Sequence, residues 1–271
     1  MPQLETLEIA FKFPIPNRDV ERQLTHMPIT THITLPNLHL FWFRGISSYL
    51  EVVICQITTP CLKNLSIRLF KQPTFSVPCL VQFMNTTENL MFDDAVIIFQ
   101  DRSIHVLMNL RKASKYTFCI TVECWHLDWQ VSSAAQISNA LSQVFSAVEH
   151  LTLQHQVHGR SSEEHNDVDR VEWRKLLKSF SNVKTLLVKD GLVEQLSRCL
   201  RLEEGKLALE LLPELQELTY SCSGADGDAF TSFIDARQNA GRPVNLVCPC
   251  PSPNPGPPQP PSNAFATTSV D

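Results

Sequence analysis

The sequence predicts an α/β fold, a curved parallel-type sheet with helices on its convex side, built by stacking short strand–helix units. Three observations predict it: one strand phrase recurs, a helix-spaced apolar stripe separates its copies, and the composition changes abruptly after residue 247. The phrase is Pro-x-Leu-x-x-apolar-x-apolar. Pro36, Leu38, Phe41 and Phe43 carry it, and Pro60, Leu62, Leu65 and Ile67 carry it again 24 residues on. That offset falls inside the window of about 20–29 residues of leucine-rich repeats. The end of the phrase alternates apolar with other residues, as in a strand that turns one face inward. Between the copies, Ile46, Leu50, Val53, Ile54 and Ile57 share one helical stripe, and Ser48 with Glu51 has the spacing of a capping box. One such unit cannot bury its own apolar face, so copies must stack. The fold class is therefore an irregular leucine-rich-repeat solenoid over residues 1–247.

Taken in order, Pro2, Leu4, Leu7 and Ile9 already spell the phrase. Repeat arrays carry a specialised cap at each end, and none precedes this strand, so the chain reads as the rear part of a longer protein. Residues 12–34, with Pro14, Pro16 and Pro28, read as an irregular loop holding a short helix near Val20 to Leu24. A shorter phrase from Pro78 to Phe83 opens either a strand or a helix. From Ala95 the pattern changes. Val96 to Phe99, Ile104 to Leu110 and Tyr116 to Trp129 are β-branched and aromatic and read as longer strands, with a hairpin turn at Asp101-Arg102-Ser103.

Ser132 to Phe145 reads as a helix, followed by a strand at Val148, Leu151 and Leu153. His158 to Asp169 is a polar loop. Trp173, Leu176, Leu177 and Phe180 mark a helix, Val183, Leu186 and Val188 a strand, and Leu192 to Leu202 another helix. Pro213, Leu215, Leu218 and Tyr220 repeat the phrase in full. Asp226 is placed to cap a last helix with Phe230, Phe233 and Ile234, closed by Gly241 and Pro243. The stretch 248–271 is crowded with prolines from Pro249 to Pro261 and nearly lacks large apolar side chains. Such a segment buries too little to offset its chain entropy, and it reads as a disordered tail sampling extended polyproline II.

Composition narrows the function classes. Apolar residues make 43 % and charged residues 19 % of the 271, with a net charge of −5. No basic excess points to nucleic acid. No apolar run approaches the roughly 18 residues of a membrane helix, and no export signal opens the sequence; no membrane partner is expected, and a cytoplasmic or nuclear location is. The nine cysteines are odd in number and scattered. Cys55, Cys79, Cys119 and Cys199 lie in apolar runs, where a free thiol behaves as a small hydrophobe.

An enzyme would need a constellation. His155, His158, Glu163, Glu164 and His165 form the densest set of metal-ligand types, yet no HExxH spacing appears and a solvated loop accounts for them. Cys248-Pro249-Cys250 lacks a second ligand pair. There is no GxSxG, and with Gly only 8 a phosphate cradle is not expected. Glu123 and Asp128, beside Trp125 and Trp129, read as strand residues facing water. No catalytic, cofactor-binding or metal-ligating residue is predicted, and no cofactor.

Binding has a more definite handle. If the apolar positions of each phrase face the core, the alternating ones face the concave surface. Those are Thr6 and Glu8; Leu40, Trp42 and Arg44; Asn64, Ser66 and Arg68; His150, Thr152 and Gln154; Thr185, Leu187 and Lys189; and Glu217, Thr219 and Ser221. Leu40, Trp42 and Arg44 join an aliphatic, an aromatic and a guanidinium on one strand, and Trp and Arg are over-represented where interfaces carry their energy. Arg44 and Arg68, again 24 apart, are expected to stack in adjacent repeats as a patch for an anionic protein partner. In the tail, Pro257-Pro258-Gln259-Pro260-Pro261 satisfies PxxP, though prolines of this kind are also common in linkers.

Several blocks resemble a known family. Phe43-Arg44-Gly45 with Ser48-Tyr49-Leu50-Glu51, Leu127-Asp128-Trp129-Gln130, and Ala236-Arg237-Gln238 through Gly241-Arg242-Pro243-Val244 are similar to the C-terminal half of fungal F-box-like leucine-rich-repeat proteins, over about residues 1–247. The resemblance implies a substrate-recognition region of a cullin–RING ubiquitin ligase. In that family an N-terminal F-box docks on the ligase adaptor. This sequence has no F-box, so adaptor binding is expected only if one lies upstream. The alternative is a stand-alone repeat scaffold, or a truncated paralogue with no link to a ligase.

Overall fold

A computed structural model describes residues 3–12, 32–72, 74–87, 90, 92–109, 117–156, 170–189, 191–201, 210–221 and 229–248. In chain order these form β1 (Thr6–Ala10), β2 (Ile33–Thr34), β3 (Leu40–Gly45), α1 (Ser47–Ile54), β4 (Ile57–Thr58), β5 (Asn64–Phe70) and α2 (Pro78–Thr86). Then come β6 (Asp94–Gln100), β7 (Ser103–Asn109), β8 (Phe118–Glu123), α3 (Leu127–Ala140), α4 (Ser142–Phe145) and β9 (His150–Gln156). The last are α5 (Arg170–Lys178), β10 (Thr185–Lys189), α6 (Val193–Leu200), β11 (Glu217–Tyr220), α7 (Thr231–Asn239) and β12 (Asn245–Val247).

Ten of these strands make one sheet in the order β1-β3-β5-β8-β7-β6-β9-β10-β11-β12. All neighbours are parallel except β7, which runs against both β6 and β8. β2 and β4 pair separately. The fold is thus mixed α/β with one large, mostly parallel sheet. After β5 the chain crosses two strand places to β6, returns through β7 to β8, and crosses again to β9.

The recurrent phrase has a local cause. Before four strands the backbone closes one tight turn, with N–H to C=O bonds from Leu38 to Leu35, Leu62 to Thr59, Val148 to Phe145 and Leu215 to Leu212. Each turn buries its leucine or valine; Leu38, Leu62, Val148 and Leu215 are at most 2 % exposed. At the strand start, two successive N–H groups then share one carbonyl of the neighbouring strand. His39 and Leu40 donate to Glu5, Lys63 and Asn64 to His39, Glu149 and His150 to Asp93, Lys184 and Thr185 to Glu149, and Gln216 and Glu217 to Lys184. This fork fixes the register of each strand against its neighbour in the sheet.

One face of the sheet carries the core. Phe41, Phe43, Leu65, Ile67, Ala95, Ile97, Phe99, Ile104, Val106, Ile120, Val122, Leu151, Leu153, Leu186, Val188, Leu218 and Tyr220 are buried there in a single cluster with helix residues such as Leu50, Leu80, Ile137, Leu176, Leu196 and Phe233. Side chains alternate between the two faces of a strand, so among the described residues the helix side chains named here pack on this face and the alternating strand positions line the other.

Several local expectations change. Ser48 and Glu51 do not form a capping box: Ile46 precedes α1 with no side-chain cap. Glu51 instead caps the next helix, where its carboxylate accepts the Cys79 N–H at 2.6 Å and the Leu80 N–H at 3.0 Å. An anion at those unpaired N–H groups is also favoured by the helix dipole. The phrase at Pro78 opens helix α2, with proline in the first turn, where its missing N–H costs nothing. The strand expected over Tyr116 to Trp129 ends at Glu123, and α3 begins at Leu127, five residues before the expected Ser132. Cys55 is exposed at the end of α1 rather than packed as a hydrophobe. The turn at Asp101-Arg102 joins β6 to β7 as expected. Gly241, at φ 71°, closes α7: its N–H donates to Gln238 and that of Arg242 to Arg237, the paired bonds of a Schellman motif. Asp226, the helix near Val20 to Leu24 and the Pro249–Asp271 tail lie outside the described residues.

Candidate functional site: the open face of the sheet

The predicted open-face positions fall on the same side of one sheet, except Ser221, which lies just past the end of β11. In-register pairing lines them up in rows that cross it. The middle row runs Glu8, Trp42, Ser66, Cys119, Leu107, Val96, Thr152, Leu187, Thr219 and Val247. The next row towards the C-terminal rim runs Ala10, Arg44, Arg68, Thr121, His105, Ile98, Gln154 and Lys189. On the other side of the middle row, Leu40 stands beside Asn64, and His150 beside Thr185. Trp42, Ser66, Thr152, Gln154, His150, Asn64 and Lys189 are half-buried, while Leu40 and Arg68 are exposed. Of the side chains in these rows Thr121 is buried and the others keep part of their surface exposed.

The two arginines do stand side by side, but they are not equivalent. A carboxylate oxygen of Glu123 lies 3.2 Å from an Arg44 guanidinium nitrogen, and the Arg44 guanidinium also sits 5.3 Å from the centre of the Phe70 ring. Its charge is largely answered within the chain. Arg68 has no such partner among the described residues and is the more available positive charge of the two. An anionic patch on a partner would therefore meet Arg68 rather than the pair.

The centre of the face holds residues that the sequence did not single out. His105 Nε2 lies 2.9 Å from Gln100 Oε1 and 3.0 Å from the Ser103 hydroxyl, and its Nδ1 lies 2.9 Å from the Thr121 hydroxyl. With the Gln100 carbonyl as acceptor, Nε2 carries the proton and Nδ1 accepts from Thr121. Burial, helped by the Arg68 charge, lowers the His105 pKa below its ordinary 6.5. The ring is neutral near pH 7. Cys119 Sγ lies 3.7 Å from Thr121 Oγ1. Burial pushes this thiol up against the opposing pull of Thr121 and Arg68, so it stays protonated and is no activated nucleophile. Val96, Ile98 and Leu107 add an apolar floor. They were hidden in the sequence because each sits in a run of consecutive apolar residues, where alternation leaves no trace.

Glu123 and Asp128 do not share a strand. Glu123 ends β8 and pairs with Arg44, whereas Asp128 lies in the first turn of α3. Among the described residues no group of three or more His, Cys, Asp or Glu is arranged to hold a metal ion. His155 belongs to the end of β9; His158, Glu163, Glu164 and His165 lie outside the described residues. On the helix side, an open pocket of about 320 Å³ lies between α1, β4 and α2, with Cys55, Cys79 and Thr59 in its wall. Burial and the Glu51 charge raise the Cys79 thiol to about 11, so it too is protonated at neutral pH. Among the described residues no helix is long and apolar enough to cross a membrane.

No protein-family model, no curated protein and no solved structure matches this chain. The reading of its function therefore rests on the open face and on the sequence blocks.

Proposed function

We propose that the chain is a non-enzymatic protein-binding module, an irregular leucine-rich-repeat solenoid whose open sheet face is the concave, partner-binding surface. By its resemblance to fungal F-box-like proteins, it would be the substrate-recognition region of a cullin–RING ubiquitin ligase subunit, working in the cytoplasm or nucleus. One observation carries the binding reading: rows of half-exposed side chains cross ten in-register strands, on the face opposite the one where the described helix residues pack. Trp42 and Leu40 give that face an apolar grip, Arg68 a charge, and Asn64, Ser66, Thr152, Gln154 and His150 hydrogen-bonding groups. Interfaces draw most of their energy from such aromatic and arginine anchors amid near-neutral polar contacts.

The test uses a photo-crosslinking amino acid placed in living cells at Thr152 or Leu187 on the open face, and at Ser48 on the helix side. The expected result is one discrete adduct from the open-face positions, abolished by Trp42→Ala with Arg68→Glu, and none from Ser48. Equal capture from both faces would sink the reading. The ligase assignment is tested separately: cullin and adaptor subunits should be recovered only when an F-box is joined upstream of Met1, and their absence from that fusion would refute it.

A further inference from the structure

The C-terminal rim of the sheet carries two tryptophans that a partner on the open face does not use. Trp125, in the turn after β8, is 61 % exposed, and Trp129, in the first turn of α3, is 43 % exposed. Both rings are held by cations. The Arg102 guanidinium, from the β6–β7 turn, lies 4.3 Å from the centre of the Trp125 ring, and Lys71 Nζ, just past β5, lies 2.8 Å from that of Trp129. His126 meets Trp129 edge to face at 4.7 Å. Gln130, almost fully buried, fastens the start of α3 by donating to the carbonyls of Gln100 at 2.5 Å and Cys124 at 3.0 Å. The rim thus presents two indole faces already fixed in place. Aromatic ridges of this kind suit an extended proline segment, which is stiff before it binds and loses little entropy on docking.

We propose that this rim is the docking site of the chain's own segment Pro257–Pro261. Three observations choose that occupant. β12 runs parallel to β11, so it releases the chain at the same rim that holds both tryptophans. Trp125 follows β8, six strand places from β12, which is about 29 Å at the usual spacing of about 4.8 Å. Pro257 lies ten residues beyond Val247 and reaches about 31 Å at the rise of about 3.1 Å per residue of polyproline II. Finally, the chain from Cys248 to Val270 has no charged side chain, and at the rim Lys71 and Arg102 lie over the Trp129 and Trp125 rings, so the segment brings no like charge to them. A neutral, extended proline segment can lie along these indoles without displacing either cation.

The inference is independent of what the open face binds. It is tested on the full chain labelled with 5-fluorotryptophan, in which the four tryptophans give four fluorine resonances, assigned by single Trp→Phe variants. Pro257, Pro258, Pro260 and Pro261 are changed together to serine. The expected result is a shift of the Trp125 and Trp129 resonances alone, unchanged on tenfold dilution. Trp173, 1 % exposed inside the core, stays put and reports an intact fold in the same spectrum. Unmoved Trp125 and Trp129 signals would overturn the proposal. So would a shift that disappears on dilution, because the occupant would then be the tail of a second copy.

Discussion

β3 and β5 on one side of the sheet, and β9, β10 and β11 on the other, repeat one construction; β6, β7 and β8 between them follow another. Most flank strands open with the same tight turn, and all five share the carbonyl fork, and they leave mainly polar side chains on the open face. The central strands are joined by a hairpin at one end, one of them is reversed, and Val96, Ile98 and Leu107 lie on their open face around the neutral His105. The two regions draw their order from different sources. In the flanks register is set by backbone forks that each strand borrows from its neighbour in the sheet. In the centre the antiparallel ladder of consecutive strands sets it, closed at its ends by backbone bonds from Asp93 to Asn109, Thr117 to Met108 and Cys124 to Arg102.

The largest expected effect lies in the C-terminal flank. Arg237 is fully buried, and its guanidinium donates to the carbonyls of Leu212 at 3.0 Å, Pro213 at 3.0 Å and Leu215 at 3.1 Å, with a longer bond to Arg242 at 3.4 Å. It holds the turn before β11, where Leu212 is forced to a φ of 50°. Arg237→Met removes the guanidinium donor from all of these carbonyls and, among the described residues, leaves only Leu212 with its bond from the Leu215 N–H, and a loss of about 3–5 kcal/mol is expected in urea denaturation. A loss below about 1 kcal/mol would show that the turn is held by packing alone.

A smaller effect separates the N-terminal flank from the centre. Glu51→Ala removes the charge-assisted cap of α2 and should cost about 1–2 kcal/mol. Hydrogen exchange should rise first at the Cys79 and Leu80 amides, with β7 and β8 unchanged. Uniform loss of protection would mean that flank and centre unfold as one unit.

The smallest effect probes the centre itself. The folded-state pKa of His105 is lowered below 6.5, so on acidification the unfolded chain takes up its proton first. Stability is therefore full above about pH 6.5 and falls as the pH drops through that value towards the lower folded pKa. His105→Gln should flatten this part of a stability–pH curve by up to one proton. An unchanged slope between pH 5 and 7 would show that the ring is not buried neutral.

Much of this was legible in the sequence, for reasons that differ by region. Leu38, Leu62 and Leu215 repeat the turn that starts each flank strand, so strand positions, spacing and the open-face residues followed from one phrase. Glu51 was visible as a capping residue, but its partner lies 28 residues away in the next unit, and spacing within one helix pointed to the wrong N-terminus. The blocks Leu127–Gln130 and Ala236–Gln238 stood out as well. Their work is structural: Gln130 ties α3 to the ends of β6 and β8, and Arg237 ties α7 to the turn before β11. Trp125 and Trp129 look like part of a strand in the sequence because β-branched and aromatic composition continues past Glu123, and no capping side chain marks the start of α3.

The sequence by itself determined which residues turn inward and where the flank strands begin, because periods of two and of about 3.6 residues are written locally. Only the tertiary structure decided that β7 runs backwards, that Glu123 answers Arg44 while Arg68 stays open, and that His105 sits in a polar chain at the middle of the face. Such outcomes depend on strands 16 to 79 residues apart meeting side by side. A local apolar pattern says which face is buried and leaves open which neighbour will cover it.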